Sequence, residues 1–130
     1  MGKVMAVFLL VAVLMGSSSF SADKAKGLEK MMKQMLNYVR LERKQVESNQ
    51  PPLAFPVERK AFKNAKVHGQ KPSTEHLMYI DDFFERLNEY QQTKDSVQRR
   101  TTFNTMLNSC INCHRHECPG PVQVIQKNLF

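Results

Sequence analysis

Cys110, Cys113, His114, His116 and Cys118 fall within nine positions of a 130-residue chain that has no other cysteine. Thiols and imidazoles this close support three kinds of chemistry. Cys110-Ile111-Asn112-Cys113-His114 has the spacing of covalent haem attachment. There, each thiol adds across a haem vinyl group to form a thioether, and the imidazole after the second thiol becomes an axial ligand of the iron. The macrocycle fixes the distance between its vinyl groups, so the thiols must match a rigid span. Structural zinc is a second possibility, with Cys110, Cys113, Cys118 and either His114 or His116 as sulfur and nitrogen donors. Such sites usually join ligand pairs from separated segments, whereas this one would be wholly local. A disulfide framework is the third. Three cysteines cannot all pair within one chain, however, and a Cys110–Cys113 bridge would strain a helix. The expected chemistry is therefore one haem c per chain, attached at Cys110 and Cys113, with His114 on the iron.

The N-terminus favours that reading. One positive residue, Lys3, precedes an uncharged apolar run from Val4 to Met15, and small residues follow, with Ser19 and Ser21 suitably placed before a cut. This is the layout of a secretory signal peptide, with cleavage expected after Ser21 or Ala22. The run has twelve residues against the roughly twenty needed to cross a bilayer, so no membrane anchor is expected once it is cut. The expected organisation is a signal peptide at residues 1–21, one haem-binding domain at 22–130, and a periplasmic location. Of the 19 Lys and Arg only Lys3 is lost and the 12 acidic residues all remain, so the net charge passes from +7 to +6. Such a charge favours encounter with an acidic redox partner. Nucleic acid is not expected, because the chain is exported and its basic residues are spread out.

Helical patterning supplies the elements that would hold the cluster. From Ala22 to Ser48 there is no proline, and Leu28, Met31, Met32, Met35, Val39 and Val46 recur at helical spacing. Lys30, Lys33, Arg40, Glu42, Arg43 and Lys44 occupy the other face. Prolines at 51, 52 and 56 end this helix. A shorter helix is expected from Val57 to Val67. A third starts with Ser73 or Thr74 as N-cap and runs to about Thr93. A fourth spans about Asp95 to Glu117, with Val97, Phe103, Met106, Leu107, Cys110, Ile111 and His114 inward. Pro119-Gly120-Pro121 stops it, leaving Val122–Phe130 as a short tail. The expected fold is all-α, an antiparallel four-helix bundle with haem on its last helix.

An exported bundle of this size, with Cys-x-x-Cys-His on its last helix, resembles the cytochrome c-prime family and its low-spin relatives. The resemblance implies a haem inside the bundle and a first-helix residue on the far side of the iron. In low-spin members that residue is a methionine, often followed by lysine, and Met32-Lys33 matches the pattern. The family's last helix usually continues past the histidine, whereas Pro119 stops it here. Dimerisation through the first two helices is a further implication.

The sixth iron ligand decides the function. A methionine sulfur opposite His114 would fill the coordination sphere and raise the potential, giving an electron carrier. An apolar distal residue would leave the iron open to nitric oxide or carbon monoxide. Met32 is the first choice, followed by Met35 and Met31. His68 and His76, on either side of the loop before the third helix, are the histidine alternatives. His116 lies about 200° around the helix from His114 and is expected to be exposed. No distal acid–base pair points to catalysis, so a mono-haem electron-transfer protein is expected rather than an enzyme.

Overall fold

In the computed structural model, which describes residues 19–130 and side chains from residue 27 onward, five helices follow one another. They are α1 (Ser19–Glu47), α2 (Arg59–Asn64), α3 (Thr74–Gln92), α4 (Ser96–Glu117) and α5 (Val122–Gln126). Among the described residues there is no strand, only an isolated bridge between Val67 and Gln70. The all-α class is therefore met. The arrangement is three long helices with two short ones, because α2 has six residues where a shorter helix over Val57–Val67 was expected. Glu58 offers α2 no side-chain cap, and Phe62 is its one buried residue, which is little to offset the cost of starting a helix.

Apart from residues 19–21, whose backbone belongs to α1, the expected signal peptide lies outside the described residues. Among those described, no helix is long and apolar enough to cross a membrane.

The other helix starts follow the local chemistry. Ser73 Oγ accepts from the His76 backbone N–H at 3.0 Å and so opens α3. The Asp95 carboxylate accepts from the N–H groups of Val97 and Gln98 at 3.1 and 2.8 Å. A negative charge at that position also complements the helix dipole.

α3 and α4 pack closely, while α1 approaches α4 at only a few points. The main core joins Tyr38, Val39 and Val46 of α1 to Phe83, Leu87 and Tyr90 of α3 and to Phe103, Met106 and Leu107 of α4. Each large apolar side chain buried there stabilises the fold by about 1.5–3 kcal/mol. The α1 stripe is buried only from Val39 onward. Leu28, Met31, Met32, Met35 and Leu36 remain half-exposed. Phe55, in the proline-rich connection, packs edge-on to Tyr38 and Phe84 and tilted against Phe83, with ring centroids 5.0–5.7 Å apart.

Two expectations about faces are corrected. Glu42, placed on the outer face of α1 by its charge, is fully buried. It accepts from the Tyr90 hydroxyl and from the Leu53 backbone N–H at 2.5 Å. Val97, expected inward, is 75% exposed, and Arg99 turns inward instead. The Arg99 guanidinium donates to the carbonyls of Gln50, Thr93 and Lys94 at 2.8, 3.1 and 3.1 Å, tying the connection after α1 to the α3–α4 corner. The tail folds back as α5. Arg43 donates to the carbonyls of Lys127 and Leu129 at 2.8 and 3.1 Å, and Phe130 packs on Phe103.

Candidate functional site

The gap between residues 28–39 of α1 and the C-terminal half of α4 is an apolar cleft of about 560 Å³. Its size lies within the ordinary range of small-molecule sites. Leu28, Met32, Met35, Leu36 and Val39 form the α1 wall. Cys110, His114 and Cys118 form the α4 side, and Val124 and Ile125 of α5 close one edge. Lys66 and His68, from the connection after α2, stand on the rim with Glu29 and Lys33 of α1. Helical geometry explains the α4 side: positions 110 and 114 are four apart and therefore share one face.

His114 is held in one tautomer. Its Nδ1–H donates to the Cys118 carbonyl at 3.2 Å, which leaves the Nε2 lone pair free. Burial pulls its pKa below the usual imidazole value, so the ring is neutral and able to ligate a metal. Burial also pushes the thiols up, Cys110 to about 12 and Cys113 to about 11. Cys118 is raised too, by burial and then by the Glu117 charge. Its Sγ lies 3.3 Å from His114 Nδ1.

The structure brings together only some of the residues singled out by sequence. Cys110, His114, Met32 and Met35 share the cleft, and Cys113 does not border it. Cys113 is half-buried, close enough to Glu117, Cys118 and Tyr79 for their charges to couple. Met31 does not border the cleft; it packs on the small cluster of Val57, Phe62 and Ile80, which Met32 and Met35 also touch. His76 is buried in the first turn of α3 and does not reach the cleft. Its Nδ1 has no hydrogen-bond partner and lies 3.8 Å from Glu117 Oε1. His68 borders the cleft, but its Nε2 donates to the Glu117 carbonyl at 3.1 Å. His116 is exposed and stacks on Tyr79. The three cysteines are free thiols. Among the described residues no group of three or more His, Cys, Asp or Glu is gathered to hold a metal ion.

The cleft gathers part of the set that haem attachment would use. An apolar slot has one thiol and a neutral imidazole with a free Nε2 in one wall, and methionine sulfurs in the other. The second thiol lies one helical turn from the first, about 60° around the axis, so its side chain must turn towards the slot. Sequence reasoning missed the α5 wall and the rim residue Lys66. The apolar pair Val122 and Ile125, three apart just after Pro121, was the available signal for α5.

No family model, no curated protein and no solved structure matches the chain.

Proposed function

We propose that this chain is an exported mono-haem c-type cytochrome that carries electrons, built on a helical scaffold like that of the cytochrome c-prime family. The observation that carries the reading is the placement of Cys110 and His114 in one wall of an apolar cleft whose facing wall holds Met32 and Met35. When bound, haem supplies one-electron redox chemistry at its iron. The chain's own residues do the rest. Cys110 and Cys113 tether, His114 Nε2 ligates, and the Cys118 carbonyl fixes the imidazole. Aliphatic side chains of α1 and α5 exclude water, which favours the reduced state. Met32 is the proposed sixth ligand. The net charge of +6 left once residues 1–21 are removed suits an acidic partner in the periplasm, and the attraction weakens with salt.

Visible spectra of protein made in cells that mature c-type cytochromes test this. The ferrous protein is expected to be low-spin and unreactive on mixing with carbon monoxide. The aliphatic neighbours Leu28, Leu36 and Val39 favour a second reading, a five-coordinate haem that binds nitric oxide or carbon monoxide. Rapid carbon monoxide binding by the untreated ferrous protein would select that reading instead.

A further inference from the structure

Lys66 and His68 stand on a built turn that haem attachment itself does not use. Val67 and Gln70 exchange both backbone hydrogen bonds, each at 2.9 Å. Between them His68 has φ +49° and Gly69 φ +78°. Positive φ at both central positions makes this the tight hairpin type, and a histidine in the left-handed region costs conformational energy. The His68 bond to the Glu117 carbonyl pins the turn to the last residue of α4. Lys66 is thereby set on the rim of the cleft. The rim's other cation, Lys33, is already paired with Glu29 at 2.6 Å. Among the described residues Lys66 has no ion-pair partner.

An apolar slot with an uncommitted cation at its mouth selects a flat apolar body that carries an acid at one edge. A carboxylate at such a half-dry edge needs a charged donor. We infer that Lys66, presented by the 67–70 turn, binds a carboxylate of the cleft's occupant, which for haem is one of its two propionates. The inference rests on the haem reading and adds an orientation to it: the propionate edge faces the 67–70 turn.

Zero-length coupling tests the contact directly. Intact mass first establishes whether the purified protein carries covalent haem. A water-soluble carbodiimide then joins an amine to a touching carboxyl group as an amide; the carbodiimide takes up the water released and leaves as its urea. Peptide mapping is expected to find the haem-bearing Cys110–His114 peptide joined to Lys66, and to lose that link in Lys66→Met. Gly69→Val, disfavoured by the positive φ, is expected to lower the yield several-fold. Haem-loaded protein that couples only through Lys33, or not at all, overturns the inference and leaves the haem reading standing. So does a yield that Gly69→Val leaves unchanged. Protein without covalent haem removes both.

Discussion

Cys118 closes a two-way hydrogen-bonded link with His114: its backbone N–H donates to the His114 carbonyl at 3.0 Å, and its own carbonyl accepts from His114 Nδ1 at 3.2 Å. The main chain, not the thiol, therefore sets the imidazole. Cys118→Ala is expected to keep covalent haem and an unchanged low-spin spectrum. Loss of the axial histidine signature in that variant would show that the thiol is needed.

Met32 and Met35 both border the cleft, one helical turn apart. With Met32 on the iron, Met32→Ala is expected to open the ferrous protein to carbon monoxide and shift its spectrum to high-spin. Met35→Ala is expected to leave the spectrum alone and cost about 2–5 kcal/mol of stability as a packing defect, or less where exposure lets the site relax. Carbon monoxide titration of the two variants separates these roles, and the reverse pattern would move the ligand to Met35.

Buried Glu42 makes stability depend on pH. Burial raises its pKa above the ordinary 4.5, so the fold prefers the protonated carboxyl. That contribution is fully present below pH 4.5 and is lost as pH rises through the raised value. Glu42→Gln imitates the protonated form. Its stability relative to the parent is expected to climb from pH 4.5 upwards and then level off, with other carboxyl groups cancelling in the difference. A difference that stays flat with pH, measured by denaturant unfolding, would contradict the burial. Tyr90→Phe removes a donor from the same carboxyl and is expected to cost about 1–3 kcal/mol.

Arg99 gathers three carbonyls from two chain segments with one planar group. Lysine cannot reproduce that fork. Arg99→Lys is expected to lose about 1–3 kcal/mol, read as a lower denaturation midpoint at unchanged m-value. A loss under about 0.5 kcal/mol, the level of an ordinary surface substitution, would mean that the fork is not needed.

What was legible in the sequence followed from periodicity and punctuation. The three long helices could be read because apolar spacing, Ser73, Asp95 and the prolines all act locally. Glu42 and Arg99 could not, because a charged residue reads as outward unless its partners are known. Those partners, Tyr90 and Leu53 for one and Gln50, Thr93 and Lys94 for the other, are mostly distant in sequence. Phe55 was hidden for a related reason: a proline-rich connection has no period, so nothing marked its aromatic ring as a junction of the core. In the site, Cys110 and His114 share a face by helical arithmetic and were foreseeable. That α5 walls the cleft, that Lys66 stands on its rim and that His76 turns away all depend on how the helices pack.

Intact-mass analysis of the denatured, acid-acetone-extracted protein, produced alongside a c-type maturation system, tests the central claim most directly. The account predicts that the chain keeps the added mass of one haem, and that the pigment maps to the peptide containing Cys110, Cys113 and His114. A chain at its bare polypeptide mass, with any pigment left in the solvent, would contradict it.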